Sequence, residues 1–458
     1  MSLKAWQEEL EVRRSAIPVD RRVHASSWHD HVAGKLDQDD VMFMLWESTV
    51  PGSGAPECCY REAAQSMENQ GFDEHEAVSL LPQGLQLAHS GDAPALRVLT
   101  AHYLERLFAA PRDPLDAYLA FERPGSWEEI LPLLPAHGTL RDRPDGTAEK
   151  TLAGWTGQLA GGAFGTAIEG YTGRRISDVY GNVRSYVTAP ETMNDDVVYE
   201  LALLDAFELH GRSLTSRDIA DEWLRQLPFG WSAEWIALQN LRAGLMPPQS
   251  GSYRNPYSDW IGVQMRGMVC GMLAPGHPLE AARLAQLDGV VSHSANGVYG
   301  GMYAAALTAL AYVRDDPRSI VIEAAGYVPR GSEYAAVLGE CLDMVAAEKD
   351  VSAALAWAEQ RFEQYNWIHA YPNMASDIIS LWYGDGDMTE SFALLARFGL
   401  DVDCNAGLVG TVLGVMGGVP SVWADPIGDL LETYIPGKEQ ISIHLLAERT
   451  ARLASGTE

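Results

Sequence analysis

Two short acidic motifs carry the most suggestive chemistry in this chain. They are Asn194-Asp195-Asp196 and Asp401-Val402-Asp403-Cys404-Asn405. Each sets a pair of carboxylates directly before an apolar run. Two such helix starts far apart in sequence suggest one shared cation site, and an oxygen-rich ligand set favours Mg²⁺ or Mn²⁺ over zinc. A plainer reading competes. Acids at a helix start can cap it, favoured by the macrodipole and wetted by solvent. Taken alone, the first motif reads better that way. The second is harder to dismiss, because the stretch 406–424 that follows holds no charge and is rich in glycine. Two acids fixed beside a buried segment are costly unless something pairs with them. A third segment, Gly161-Gly162-Ala163-Phe164-Gly165-Thr166-Ala167-Ile168-Glu169, would let two helices approach closely and ends on a carboxylate. In isolation it reads equally well as a packing helix with an exposed Glu.

Helices must position these groups. Residues 197–207 repeat apolar side chains at three and four, and Gly211 follows as a stop. Thr215-Ser216-Arg217-Asp218 has the shape of a capping box, with Asp in place of the usual Glu, and opens a helix over 219–227. Residues 281–287, 299–313, 353–365 and 388–398 read as helices, and so do 93–108 and 127–134 upstream. Strand-like alternation is scarce, and no βαβ unit or glycine-rich dinucleotide loop is visible. The expected class is all-α, with an N-terminal, mainly helical extension. Arg141-Asp142-Arg143-Pro144-Asp145-Gly146 is polar and turn-prone, which places a boundary near it. The divisions are 1–145 without assigned chemistry, 150–435 as the metal-bearing domain, and 436–458 as a helical tail.

Bulk properties narrow the function classes. A chain of 458 residues exceeds one ordinary core,. Its 33 basic residues against 62 acidic ones give a net charge of −29. That field repels phosphate backbones and anionic lipid, which argues against nucleic-acid and membrane partners. A small phosphorylated ligand remains compatible, because a metal or helix N-terminus reverses the field inside one cleft. Five scattered cysteines without a CxxC pair fit a reducing cytosol and argue against a disulfide framework. The N-terminus MSLKAWQEELEVRR is charged and amphipathic, unlike a secretory signal, and the expected location is cytoplasmic. The stretch 406–424 is long enough to resemble a membrane span, but its glycines fit a close-packed core helix better.

The order of the three segments resembles the ADP-ribosylglycohydrolases. In that family a glycine-rich segment ends in Glu, a Thr-Asp-Asp-Thr motif follows, and a late Asp-Thr-Asp-Thr/Ser motif opens a glycine-rich helix. The match runs through Gly161 to Glu169, Asn194-Asp195-Asp196-Val197 and Gly399-Leu400-Asp401-Val402-Asp403-Cys404, and then Val419-Pro420 and Trp423. Between them, Gln264-Met265-Arg266 and Ser292-His293-Ser294-Ala295-Asn296 are similar to two further family segments. The resemblance implies a compact, many-helix orthogonal bundle with a central metal cleft, in which Asp195, Asp196, Asp401 and Asp403 hold two Mg²⁺ ions, with Mn²⁺ as a substitute. Asn194 stands where the family has a Thr ligand. Glu169 stands where it has a mobile glutamate, so Glu169 and Asp403 are the expected catalytic carboxylates. Three departures stand out: Gly162 for an Asp, Val197 for a Thr, and Cys404 for a hydroxyl ligand. A thiol is a poor partner for hard Mg²⁺.

The implied activity is metal-dependent hydrolysis of an N- or O-ribosyl glycosidic bond in an ADP-ribosyl conjugate or related nucleotide. The alternative is an inactive relative that binds an ADP-ribose-like ligand or metal. A third reading is a ribosyl hydrolase of secondary metabolism, with the first third of the chain as a lid. His293, Asn296 and His369 are candidate substrate contacts. For His369 a satisfied core histidine competes evenly. Tyr365-Asn366-Trp367-Ile368-His369 would offer an aromatic face and a polar tip to a base or sugar. Arg254-Asn255-Pro256 with Trp260 and Gln264 reads as a structural loop before a cleft lining. His24, His29 and His31 fit no defensible metal spacing. The expected state is a monomer or small homo-oligomer. No Gly-x-Ser-x-Gly or His-Glu-x-x-His motif is present, which removes the common serine and zinc hydrolases.

Overall fold

The computed structural model describes residues 4–24, 38–134 and 144–456. His29, His31, residues 1–3 of the amphipathic start and residues 140–143 of the expected boundary lie outside them. The described chain is all-α, with three two-stranded antiparallel ribbons as its only paired strands.

Two helices form the axis of the bundle: Thr147–Gly165 and Val402–Gly417. Small residues explain why they meet backbone to backbone. A Cβ added at Gly157 would lie 2.1 Å from the Gly410 carbonyl oxygen, and one at Gly161 would lie 1.9 Å from that of Ala406. At Gly165 it would meet the Asp403 amide nitrogen at 2.1 Å. Any side chain at these positions would force the helices apart, so the glycine spacing of four sets their contact. Helices Pro278–Gly289, Ala295–Ala311, Ala370–Tyr383 and Met388–Phe398 surround the pair. The tail helix Ile443–Ser455 packs on the first axial helix, where the Trp155 indole donates to Thr450 Oγ1 at 3.1 Å.

Sequence patterning located most of these elements. Met388–Phe398 coincides with its expected span. The helix after the first acidic motif runs Asp196–His210 and stops at Gly211, whose φ is 56°. Thr215 and Asp218 form the reciprocal cap. Two expectations ran longest past the observed ends. The helix expected over 353–365 ends at Arg361, and the Tyr365 amide then closes a turn on the Phe362 carbonyl at 2.9 Å. The helix expected over 127–134 is α only to Ile130 and 3₁₀ over Leu131–Leu133, because Pro132 brings no N–H to the ladder. No single described helix is long and apolar enough to cross a membrane. The apolar stretch 406–424 breaks after Gly417 into two helices bent by 115°.

The N-terminal region packs onto the same continuous core. Polar ties join it to the axial bundle. The Tyr257 hydroxyl donates to the Cys59 carbonyl at 2.7 Å, and Ser66 Oγ donates to that of Pro256 at 2.7 Å. Arg13 Nη1 donates to the Gly170 carbonyl at 2.8 Å. All five cysteines are buried and free.

Candidate metal and ribosyl site

The acidic motifs meet in one cleft. Its lining includes Glu169, Asp195, Asp196, Glu234, Asp401 and Asp403. Glu169 occupies the turn that ends the first axial helix. That turn is pinned by the ribbon pairing Tyr171–Thr172 with Gly399–Leu400, and by the Gly170 amide donating to the Leu400 carbonyl at 2.9 Å. The same ribbon leads directly into Asp401. The close approach at Gly165 therefore fixes the Glu169 turn against the start of the second axial helix. Asp195 precedes and Asp196 begins the helix that enters the cleft from the third direction.

The capping interpretation fails for both motifs. Asp195 and Asp401 stand at N-cap positions, yet neither side chain makes a capping hydrogen bond. They are not solvated surface acids either. Asp196, Asp401 and Asp403 are 4%, 2% and 4% exposed, and Glu169 is half-buried. Each acid therefore lies next to others in a medium that disfavours charge. Burial, then Asp403, then Asp401, pushes Glu169 well above the usual carboxylate range. Asp196 is raised by burial and by Asp403, Asp195 and Asp401. Asp401 is raised by burial and Asp403. Burial and Asp403 bring Asp195 to about 7, and burial raises Asp403.

The donor set suits a hard divalent cation. Oδ1 of Asp401 and Oδ1 of Asp403 are buried without a hydrogen-bond partner, and so is Oδ1 of Asn194. Ligand atoms of Asp401, Asp403 and Cys404 lie within 4.8 Å of one another. Burial and the surrounding aspartates raise Cys404 well above its ordinary value, and its Sγ donates to Asp196 Oδ1 at 3.4 Å. In the cation-free cleft the protonated thiol orients the Asp196 carboxylate. The Gly162 departure also gains a physical reason. A Cβ there would lie 2.9 Å from Asn194 Nδ2, so the missing side chain leaves room for an Asn where the family has Thr.

The remaining expected residues fall elsewhere. His293, Asn296 and His369 are all buried and do not line the described cleft. His293 sits behind Gly262, its Nδ1 bonded to Ser292 Oγ at 2.7 Å. Asn296 Oδ1 accepts from the Tyr334 amide at 3.3 Å. His369 caps helix Ala370–Tyr383, its Nδ1 accepting from the Tyr371 amide at 3.2 Å. Asn405 donates to Asn373 Oδ1 at 2.9 Å. Asn255 Nδ2 gathers three carbonyls, those of Ala233, Gly251 and Ser292, which is the structural loop expected of that segment. His24 is exposed.

Several lining groups gave no usable signal in the sequence. Glu234 lies in the first turn of helix Ser232–Arg242 and faces the cleft, while Arg266 Nη1 donates to it at 2.7 Å. Arg266 is 1% exposed and also serves Asp288. Trp231 forms a wall, its indole held by Glu57 Oε1 at 2.9 Å. Val50 and Pro51 close the cleft from the N-terminal region. Trp367 and Ile368 belong to the segment singled out for an aromatic face.

The ADP-ribosylglycohydrolase family matches the chain over residues 143–457. Among the solved structures that match, one described as an ADP-ribosylglycohydrolase-related protein complex is 18% identical. It covers 67% of this chain and 99% of its own, with a TM-score of 0.43. None of the curated proteins searched matches.

Proposed function

The chain belongs to the ADP-ribosylglycohydrolase family, and from that premise we propose that it is a divalent-metal-dependent hydrolase of a ribosyl glycosidic bond. Glycohydrolase chemistry follows from the family. The metal dependence rests on one observation: five carboxylates from three distant segments converge in a buried cleft, Glu169, Asp195, Asp196, Asp401 and Asp403. With no compensating cation, so many buried acids repel one another, as their raised pKa values express. Asp195, Asp196, Asp401 and Asp403 would hold the metal, with Asn194 Oδ1 in reserve. Mg²⁺, or Mn²⁺ in its place, would supply Lewis acidity toward sugar hydroxyls and water.

The protein's own residues do the rest. Cys404 holds Asp196 in place through its thiol. Glu169 stands at the end of a pinned turn, where a carboxylate can give or take a proton at the reacting centre. Carboxylates around the cleft favour the oxocarbenium-like charge that develops at the anomeric carbon. Trp231, Trp367 and the Val50–Pro51 turn exclude bulk water from that centre.

The test is release of free ribosyl product from ADP-ribosyl-arginine, ADP-ribosyl-serine, O-acetyl-ADP-ribose and simple ribosides in the presence of Mg²⁺. Turnover that is lost on chelation and in the Asp401→Ala/Asp403→Ala double variant supports the proposal. Cys404, standing where the family has a hydroxyl, motivates a second reading as a non-hydrolytic binder. Metal and ribosyl-ligand binding without turnover of any conjugate would favour it.

A further inference from the structure

A second group of convergent ligands lies where the N-terminal region meets the bundle. One short stretch of chain builds it. Glu57 ends the ribbon strand Pro56–Glu57, and Cys59 opens the helix Cys59–Asn69. Glu62 follows three positions later, so its side chain shares a helix face with that of Cys59. One carboxylate oxygen of Glu57, the Cys59 Sγ and one carboxylate oxygen of Glu62 lie within 4.8 Å of one another. All three residues precede the part of the chain that the family matches, which begins at residue 143.

The group is shut off from solvent and short of partners. Glu57, Cys59 and Glu62 are 4%, 2% and 0% exposed. Glu57 is anchored: its Oε1 accepts from the Trp231 indole at 2.9 Å and its Oε2 from the Ser48 hydroxyl at 3.0 Å. Each of these oxygens keeps a lone pair for a further contact. Glu62 has no such anchor, and neither of its oxygens has a hydrogen-bond partner. Glu9, also buried, leaves its Oε2 without a partner. Burial, then Glu9, then Glu57 push Glu62 well above the usual carboxylate range, against the smaller pull of Arg13 and the nearby Trp367 indole. Arg13 does not resolve the excess. It gives its donors to Glu9 Oε1 at 2.7 Å and to the carbonyls of Gly170 and Pro56. Three carboxylates against one guanidinium leave two uncompensated negative charges, which is expensive in a buried place. Protonation of Glu62 would remove one charge and still leave both oxygens without a partner.

The donor set selects the cation. Mg²⁺ and Ca²⁺ take oxygen ligands, whereas Zn²⁺ accepts a thiolate and carboxylates together. Structural zinc sites are closed to solvent, as this group is. We propose that Glu57, Cys59 and Glu62 form a structural site for a divalent ion of the zinc type, with Glu9 Oε2 as the candidate fourth ligand. On binding, the Cys59 thiol releases its proton to solvent and its sulfur bonds the metal. The excess of two negative charges then falls to one. The site would tie down two parts of the neighbouring cleft. Glu57 carries Trp231, a cleft wall, and Glu9 carries Arg13, which is bonded to the carbonyl next to Glu169. This ion is separate from any held by Asp195, Asp196, Asp401 and Asp403, so the proposal does not depend on what the cleft hydrolyses.

The test uses the full chain and the Asp401→Ala/Asp403→Ala variant, which lacks cleft ligands. Both are loaded with Zn²⁺ and dialysed against metal-free buffer, and their zinc content is measured. Each should keep about one equivalent in this site. With Co²⁺ in place of Zn²⁺, the double variant should show a thiolate-to-cobalt charge-transfer band, and adding Cys59→Ser should abolish it. Glu62→Gln should weaken zinc binding roughly tenfold or more. Thermal melts separate lost ligation from lost folding. In chelator Glu62→Gln should melt at or above the parent, because an amide replaces a partnerless charge. Added Zn²⁺ should raise the Tm of the parent and leave that of Glu62→Gln in place. Loss of all zinc in the Asp401→Ala/Asp403→Ala variant puts the ion in the cleft and overturns the proposal. Cobalt bound without the sulfur band, a band that survives Cys59→Ser, or unchanged zinc affinity in Glu62→Gln overturns it too. Zinc held as expected with no Mg²⁺-dependent turnover would leave this site standing and remove the hydrolase reading alone.

Discussion

Gly161 and Gly407 provide a matched pair for testing how the axial helices place the acids. Both lie inside helices that meet in the core. Replacing a mid-helix Gly by Ala ordinarily stabilises by about 0.5–1 kcal/mol. At Gly407 the new Cβ finds its nearest neighbour, Gln158 Cγ, at 3.7 Å, which is ordinary contact. At Gly161 it would sit 1.9 Å from the Ala406 carbonyl oxygen, where ordinary contact begins at 3.4 Å. The helices must then separate by roughly 1.5 Å, and overpacking of this kind costs about 1–3 kcal/mol or more. Gly407→Ala should therefore melt at or above the parent. Gly161→Ala should fall below it, with a gap between the variants of about 2–4 kcal/mol in denaturant titrations. The same separation moves the Asp401–Asp403 start away from Glu169, so Gly161→Ala should also bind Mn²⁺ more weakly. Equal stability of the two variants, or a stabilised Gly161→Ala, would refute the claim that backbone contact between these helices sets the site.

Other perturbations test separate parts of the account. Arg266→Met leaves Glu234 and Asp288 buried without their cation and should destabilise by about 3–5 kcal/mol, read by chemical denaturation; a loss under 1 kcal/mol would show that the triad is not what holds that wall. Asp403→Asn removes a main electrostatic cause of the raised Glu169 and Asp196 pKa values. In chelator it should stabilise the fold by on the order of 1 kcal/mol, while abolishing the rise in Tm that added Mg²⁺ gives the parent. Asp259, 2% exposed, is raised by burial to about 6 and accepts a hydrogen bond from the Tyr118 hydroxyl at 2.8 Å. A carboxyl whose pKa is raised on folding holds its proton more tightly in the native state. Its contribution is therefore greatest below pH 4 and is lost as pH rises toward 6. Relative to Asp259→Asn, the parent should lose about 2 kcal/mol between pH 4 and pH 7, and a difference that stays constant with pH would exclude the raised value.

The acidic motifs were legible because each carries its chemistry in contiguous residues at a helix start. What the sequence alone could not decide was whether Asp195 and Asp401 cap their helices. Capping depends on a side-chain rotamer, and both side chains turn into the cleft instead. The glycines at 161, 162 and 165 announced a close helix contact, but their partner was visible only as another glycine-rich run far downstream. Glu234 was illegible because one acid in the first turn of an amphipathic helix looks like any solvated one until Arg266 folds against it. Trp231, Val50 and Pro51 reach the cleft through the packing of the N-terminal region, and no local pattern encodes that. His293, Asn296 and His369 show the converse. They lie buried away from the cleft lining, with bonds to Ser292, Tyr334 and Tyr371, and Nε2 of His293 is buried without a partner.

The central claim is that the converged carboxylates hold divalent metal. Anomalous diffraction from crystals soaked in Mn²⁺ addresses it without depending on any substrate. The account predicts strong peaks between Asp195/Asp196 and Asp401/Asp403, coordinated by their oxygens and absent from the Asp401→Ala/Asp403→Ala variant. An ordered cleft at saturating Mn²⁺ with no peak there, or Mn²⁺ bound only elsewhere, would contradict it.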